Sequence, residues 1–167
     1  MESRRSNLPD MSYERCEGMR DYERMFEEML RQTNQIIRIF DRTLPASYNS
    51  TRWCDAFSRL LKAGAPNALQ IVIHDAQSVA RGCPRFVSLL QRFSHVAKVR
   101  QTPAFARHVY DPFVVFDATH YLHRFHYQQP RFARGMNDVD GAQQLLERFN
   151  EMWEVSEPAL SRSVSGL

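Results

Sequence analysis

Acidic and histidine side chains stand at the points where the predicted strands of this 167-residue chain end. Asp41 follows the first predicted strand, His74 and Asp75 follow the second, and Asp117 follows the fourth. In open α/β sheets, ligands gather at the carboxyl ends of the strands, so these groups could form a metal site or an acid–base pair. Aspartates in this position also cap turns and neighbouring helices. The sequence leaves both interpretations open.

A second group of polar residues is made of histidines on and before the predicted fifth strand: His108, His120, His123 and His126. Side chains alternate between the two faces of a strand, so His120 and His126 share one face about 20 Å apart and cannot bind one metal ion. His123 lies on the apolar face, where we expect a hydrogen-bonded core residue. Because no cysteine stands close enough to complete a zinc pattern, we predict no metal and no cofactor.

Nucleophilic catalysis has no support from local motifs. The chain contains no Gly-x-Ser-x-Gly turn, and nothing in the sequence around Cys16, Cys54 and Cys83 would activate a thiol. All six glycines are isolated, which excludes a glycine-rich phosphate loop. Motifs of this kind therefore assign no catalytic residue.

Arginine dominates the basic residues, because only Lys62 and Lys98 are lysines among the 22 basic side chains. The planar arginine fork binds phosphates and carboxylates, so a cluster of arginines could form an anion site. The candidates are Arg124, Arg131 and Arg134 on and after the fifth strand, with Arg100 and Arg107 before the fourth. A solvated surface is the alternative, and a net charge of +3 does not by itself indicate a nucleic-acid binder.

Length and composition indicate a single folded domain, with 43% hydrophobic and 25% charged residues. No apolar run approaches the roughly 18 residues of a membrane span, and the first residues lack the apolar stretch of a secretory signal. Three widely spaced cysteines do not predict a disulfide framework. We therefore expect a cytoplasmic protein with no membrane partner.

Hydrophobic periodicity predicts alternating strands and helices followed by an antiparallel pair of strands. The predicted helices cover about 22–30, 50–63, 84–93 and 138–153, and the predicted strands cover 36–40, 68–73, 96–99, 113–116 and 121–127, with a polar loop over 128–135. This order predicts an α/β fold with a mixed β-sheet sandwiched by helices. The expected organisation is a flexible arm over 1–15, one domain over 16–157 and a flexible tail over 158–167.

Three short motifs stand out in the second half of the chain: Pro-Phe-Val-Val-Phe-Asp at 112–117, Asn-Asp at 137–138 and Met-Trp-Glu at 152–154. In this order, with Tyr-Leu at 121–122 and a closing helix through 145–149, they resemble one half of a phospholipase D-type domain. The resemblance covers about three quarters of the chain. It implies a phospholipase D-like fold in a degenerate, bacterial-type half domain.

The departures from that family concern its catalytic residues. The family carries a His-x-Lys-x4-Asp motif, and with Asp117 aligned, Tyr110 stands in place of the histidine and Pro112 in place of the lysine. The family's small Gly-Ser pair begins at Arg124, and His108 lies two positions too early to replace the histidine. The resemblance therefore implies a pseudoenzyme that keeps the scaffold and has lost the chemistry.

The main hypothesis is a non-catalytic binding or regulatory module. Two halves meet face to face in enzymes of this family, so the equivalent surface here would meet a second copy in a homodimer, or a separate or fused enzyme domain. The residues predicted to bind the ligand or partner are Tyr110, Arg124, His126, Arg131 and Arg134.

Two alternatives stay open. A divergent phosphodiesterase or nuclease would use His108 or His123 with Asp117, and arginines would replace the missing lysine. A basic module would instead bind nucleic acid through the arginines between residues 100 and 134. The sequence names neither the ligand nor the process.

Overall fold

A computed structural model describes residues 10–161, which form one eight-stranded sheet with helices on both faces. The strands are β1 Ser12–Glu17, β2 Ile37–Asp41, β3 Leu69–Ile73, β4 Ala97–Gln101, β5 Phe113–Phe116, β6 His120–Arg124, β7 Arg131–Met136 and β8 Glu157–Pro158. Their order across the sheet is β1-β7-β6-β5-β2-β3-β4-β8. The strands β2, β3 and β4 are parallel, and all other neighbouring pairs are antiparallel. The predicted α/β fold with a mixed sheet is confirmed.

The helices are α1 Met19–Gln32, α2 Thr51–Lys62, α3 Ala76–Gly82, α4 Pro84–Arg92 and α5 Val139–Val155. Buried side chains of α1, α2 and α4 pack on one face of the sheet, and those of α5 pack on the other. Successive strand residues alternate between the two cores, as Ile39 and Phe40 do in β2. The larger core is rich in aromatic rings, and Phe26 of α1 stacks on Trp53 of α2 with ring centres 4.3 Å apart. No helix within residues 10–161 is long and apolar enough to span a membrane.

Side-chain caps explain where two of the predicted helices begin. Ser50 Oγ accepts a hydrogen bond from the Trp53 N–H at the start of α2 (3.2 Å), and Asp138 accepts one from the Gly141 N–H at the start of α5 (3.1 Å). Pro84 occupies the first position of α4, where its missing N–H would have no partner within the helix. These local signals are readable from sequence, and the four predicted helices are present.

The two ends of the described chain are more ordered than the sequence predicts. Residues 12–15 belong to β1 and not to a flexible arm, because β1 pairs along its whole length with β7. At the other end, β8 pairs with β4, and the Ala159 N–H donates to the Val99 carbonyl oxygen at 2.9 Å. The flexible-tail prediction is therefore wrong for residues 158–159. The rest of the predicted arm and tail, residues 1–9 and 162–167, lies outside the described part of the chain.

The polar loop predicted over 128–135 is wrong from residue 131, where β7 begins. Phe132 packs edge-on against Tyr22 of α1, while Gly135 on the other face leaves room for the ring of Tyr121. A Cβ at Gly135 would lie 2.3 Å from that ring. Small and charged residues mask the hydrophobic alternation of this strand, so its sequence does not look like a strand. The sequence also gave no signal for α3 or for β8.

Candidate functional site

The carboxyl ends of β2, β3 and β4 open into one polar cleft of about 810 Å³. Because β5 runs antiparallel to β2 and β6 antiparallel to β5, the loop before β5 and the turn after β6 reach the same end of the sheet. Open α/β sheets bind their ligands at this end, outside the carboxyl ends of the parallel strands. The cleft is lined by Arg42, Thr43, His74, Asp75, Gln77, Ser78, Gln101, Arg107, Tyr110 and Tyr127.

Two arginines set the charge of this cleft. Arg42 follows β2 and Arg107 lies before β5, and neither guanidinium pairs with a carboxylate of the described chain. Asp75 also lines the cleft, but it accepts hydrogen bonds from the Ser78 hydroxyl (2.6 Å) and the Ser78 N–H (3.1 Å) at the start of α3. These two bonds lower the pKa of Asp75 below its ordinary value. The cleft therefore presents two unpaired cations beside one carboxylate that is already engaged.

His74 lines the cleft, but both of its ring nitrogens are engaged. Its Nε2 lies 2.8 Å from the Val109 carbonyl oxygen, and its Nδ1 lies 2.6 Å from Thr102 Oγ1. A carbonyl oxygen can only accept, so Nε2 carries the proton and Nδ1 accepts from the Thr102 hydroxyl. Burial lowers the pKa of His74. His74 is therefore a neutral core histidine without a free lone pair for a metal or a proton.

Asp117 lies at the opposite end of the strands, which corrects the expectation that it joins the other strand-end aspartates. Because β5 is antiparallel to β2, its carboxyl end lies beside the amino end of β2. There the Asp117 carboxylate accepts the backbone N–H groups of Asn34 (2.8 Å), Gln35 (2.9 Å) and Ile36 (3.0 Å). Its contacts hold the connection between α1 and β2, far from the cleft.

His123 lies on the α5 face of β6, in a cluster of charged groups. Its Nε2 is 2.8 Å from one oxygen of Asp111, and Arg148 of α5 donates to both oxygens of Asp111 at 2.8 Å. Burial alone would raise the pKa of Asp111, but the hydrogen bonds from His123 and Arg148 outweigh it and hold that pKa well below its usual range. The cluster ties the segment before β5 to α5. Residues 10–161 contain no group of three His, Cys, Asp or Glu side chains that could hold a metal ion.

Aromatic side chains form the rim of the cleft. The ring centre of Tyr110 lies 5.8 Å from those of His126 and Tyr127, and these two rings stack at 4.7 Å. His108 is exposed in the loop before β5, with Nδ1 2.8 Å from the Phe105 carbonyl oxygen. That contact assigns the proton to Nδ1 and leaves Nε2 free. Of the three catalytic candidates, His108 is the one that directly follows a cleft-lining residue, Arg107.

The predicted arginines do not converge on one site. Arg107 lines the cleft, whereas Arg100 donates to the Trp153 carbonyl oxygen at 2.8 Å and lies over that indole ring. Arg134 pairs with Glu14 at 2.5 Å, and Arg131 projects from the opposite face of β7 by strand alternation. The cleft arginine to which sequence reasoning assigned no role is Arg42. Its position directly after Asp41, at the end of a buried strand, was the available signal.

A smaller cavity of about 220 Å³ adjoins the cleft and shares Arg42, Thr43 and Tyr127 with it. Asp41 lies at this cavity, and burial raises its pKa to about 7, although a hydrogen bond from the Arg42 N–H (2.7 Å) opposes the shift. Arg124 also lines the cavity, and it donates to the Tyr127 carbonyl oxygen at 2.6 Å.

Solved structures with the same fold place the architecture in a known class. The chain is similar to Nuc from Salmonella typhimurium, a phospholipase D family member, with a TM-score of 0.67 and 13% identity over 89% of this chain and 98% of that one. It is also similar to NucT from Helicobacter pylori, with a TM-score of 0.64 and 10% identity over 89% and 99% of the two chains. The archaeal chromatin protein TrmBL2 gives 0.65 and 14%, over 91% of this chain and 55% of that one. At these identities the likeness concerns the fold alone, which is phospholipase D-like.

The family is shown by the sequence itself. Residues 19–161 match the family model described as a domain of unknown function, DUF7931, and the chain belongs to this family. A comparison with curated proteins found no match.

Proposed function

We propose that this chain is a non-catalytic, phospholipase D-like module that binds a phosphate-bearing ligand in the cleft. The observation that carries the proposal is the pair Arg42 and Arg107, which line a polar cleft without a carboxylate partner in residues 10–161. Guanidinium groups bind phosphate oxygens through two parallel hydrogen bonds, and the cleft at this end of the sheet is open to a ligand. An anion would neutralise two charges that residues 10–161 leave unpaired.

The absence of an activated nucleophile in register supports a binding role. Tyr110 lines the cleft at the position that the resemblance gives to the nucleophilic histidine. His74 is neutral and hydrogen-bonded at both nitrogens, and His123 is engaged with Asp111 on the other face of the sheet. A phosphodiesterase needs an activated nucleophile and a cation placed beside it, and none of these three side chains supplies the former.

Calorimetric titration with inorganic phosphate and with ribose 5-phosphate tests the binding role. We expect saturable binding, and we expect Arg42→Gln or Arg107→Gln to weaken it by about tenfold or more, since hydrogen bonds to charged groups contribute about 1.5–3 kcal/mol. Arg92→Gln is the matched control, because Arg92 also lies over an aromatic ring but at the end of α4. Unchanged affinity in both cleft variants, or no binding by the wild type, would falsify the proposal.

A divergent phosphodiesterase is the second candidate, and one observation favours it. The free Nε2 of His108, with Nδ1 held by the Phe105 carbonyl oxygen, is the arrangement that a histidine nucleophile requires. Hydrolysis of bis(p-nitrophenyl) phosphate should be measured for the wild type and for His108→Ala, His123→Ala and Asp117→Ala. The binding proposal predicts no turnover above the buffer rate, whereas activity lost in His108→Ala would identify an enzyme.

Nucleic-acid binding is the third candidate, and the geometry offers it less support, because Arg100 and Arg134 are engaged within the protein. If several phosphates were neutralised together, affinity for single-stranded DNA would fall steeply as salt rises. We propose instead that the affinity for single-stranded DNA stays weak at low salt and depends on Arg42 and Arg107 alone.

For the partner, we propose a second copy of this chain facing the cleft. Phe105 is 71% exposed and Tyr110 46% exposed on this side of the sheet, and a homodimer would cover both rings. Sedimentation should give a dimer that Phe105→Ser weakens, and a monomer at all concentrations would contradict this form. Cys16, Cys54 and Cys83 are free thiols, which suits the reducing conditions of the cytoplasm, the compartment that we propose.

A further inference from the structure

The small cavity beside the cleft has aromatic walls. Tyr22, Tyr48 and Trp53 line it, and its volume of about 220 Å³ has room for one small planar group. Arg42 and Tyr127 border both this cavity and the cleft. A ligand whose phosphate lies in the cleft would therefore have an aromatic cavity next to it.

Two buried tyrosines that line this cavity have hydroxyl groups without a partner in the described residues. Tyr22 is 7% exposed and Tyr48 is 3% exposed, and neither hydroxyl makes a hydrogen bond within residues 10–161. Burial raises the pKa of both phenols, and the proximity of Tyr22 and Asp41 raises that of Tyr48 further. All three side chains line this cavity. A hydroxyl that opens into a cavity without a protein partner is available to a ligand. Both hydroxyls keep their protons and can donate to, or accept from, a bound molecule.

The charges around the cavity favour a neutral group over a cation. Arg42 and Arg124 both line it and would repel an ammonium group. Asp41 and Glu23 also line the cavity. Burial raises the pKa of Asp41 to about 7, so near neutral pH a large share of molecules carry Asp41 as a neutral acid, and the Glu23 carboxylate accepts a hydrogen bond from the Ser47 hydroxyl at 2.6 Å. A neutral carboxyl group adds a donor beside the phenols. Aromatic walls and donors at the edge suit a flat heterocycle, which can stack on rings and form hydrogen bonds along its edge.

We infer that the cavity lined by Tyr22, Tyr48 and Trp53 binds the nucleobase of a nucleotide whose phosphate lies between Arg42 and Arg107. The inference rests on the proposed function for the position of the phosphate. It adds the ligand class, and it gives Arg42 a place between the two subsites.

Calorimetric titration of the whole chain with the four nucleoside 5′-monophosphates, ribose 5-phosphate and phosphocholine tests the inference. At least one nucleotide should bind about tenfold tighter than ribose 5-phosphate, because the sugar phosphate lacks the base. Tyr22→Phe and Tyr48→Phe keep the rings and remove one hydroxyl each. Either should reduce the advantage of that nucleotide by about threefold or more and leave ribose 5-phosphate unchanged. Tyr13→Phe, at an exposed tyrosine of β1, is the matched control.

The outcomes separate this inference from the proposed function. If ribose 5-phosphate binds and no nucleotide binds more tightly, the cleft holds phosphate but the nucleobase cavity is refuted. If phosphocholine binds more tightly than all four nucleotides, the cavity selects a cation and the inference is wrong. If nucleotide binding depends on Tyr22 and Tyr48 but is unaffected by Arg42→Gln or Arg107→Gln, nucleobase binding in the cavity is supported. The proposed phosphate site between the two arginines is then refuted. No binding of any probe overturns both.

Discussion

The guanidinium carbon of Arg42 lies 3.8 Å from the centre of the Tyr127 ring, so the cation stacks on the face of the phenol. The two residues are far apart in sequence, one after β2 and the other after β6, and the sheet brings them to the same end of the strands. Stacking limits the positions open to a long side chain while leaving its N–H donors available. Tyr127 is thus a positioning residue for the charge that the cleft offers.

This stacking predicts a graded effect of changes at Tyr127. Tyr127→Leu should weaken the binding of ribose 5-phosphate by about 2–30-fold, because a cation–π contact contributes about 0.5–2 kcal/mol. Tyr127→Phe keeps the ring and should bind nearly as the wild type does. Calorimetric titration of both variants makes the comparison. Equal losses in the two variants would mean that the hydroxyl, and not the stack, matters.

Asp117 should matter for stability and not for ligand binding. Asp117→Ala removes the acceptor of three backbone N–H groups and should lower the free energy of unfolding by about 2–4 kcal/mol. Asp117→Asn keeps one acceptor and tolerates the positive φ of 51°, so its loss should be smaller. Urea unfolding gives the stability, and titration with ribose 5-phosphate should give an unchanged affinity. Asp140→Ala, at an exposed residue of α5, is the control; reduced affinity without reduced stability would contradict this role for Asp117.

The cluster of Asp111, His123 and Arg148 predicts a stability difference that depends on pH. At pH 7, Asp111→Asn should lower the free energy of unfolding by about 1.5–3 kcal/mol, the usual range for hydrogen bonds to a charged group. The folded pKa of Asp111 lies below the unfolded value, so the native state binds fewer protons and the carboxylate stabilises it above about pH 4. The difference between wild type and variant should therefore shrink as pH falls below about 4. Asp21→Asn, which removes an exposed ion pair with Arg24, should cost less than about 1 kcal/mol.

Asp41 should behave in the opposite sense. Its folded pKa of about 7 exceeds the unfolded value of about 4, so the native state binds more protons between these pH values and stability falls as pH rises through them. Asp41→Asn cannot ionise and should be more stable than the wild type at pH 8, by at most about 4 kcal/mol at 1.4 kcal/mol for each pH unit. The two proteins should converge near pH 4. Urea unfolding across this range measures the difference, with exposed Asp55→Asn as a control without such a crossover.

Most of the central fold could be predicted from the sequence because its signals are local. The apolar faces of α1, α2, α4 and α5, and the buried runs of β2, β3 and β5, repeat with the periods of helix and strand. The outer strands could not be predicted in this way. Backbone pairing holds β1 to β7 and β8 to β4, and the side chains of β1 and β8 are mostly exposed, so no hydrophobic pattern announces them.

The candidate site was predictable in place but not in detail. The sequence placed His74 and Asp75 at a strand end, and the structure brings both to one cleft. It could not show that Thr102 and Val109, distant in sequence, engage both nitrogens of His74. It also could not show that the antiparallel direction of β5 places Asp117 at the opposite end of the sheet. Such facts depend on tertiary contacts and strand direction.

The contacts of Asp117 have a consequence for the way sequences of this kind are interpreted. A carboxylate that accepts three backbone N–H groups contributes to folding, whatever the chemistry of the cleft. An aspartate at this position can therefore be retained for its backbone contacts alone. Its presence in a related sequence indicates the connection between α1 and β2, and by itself it does not identify a catalytic residue.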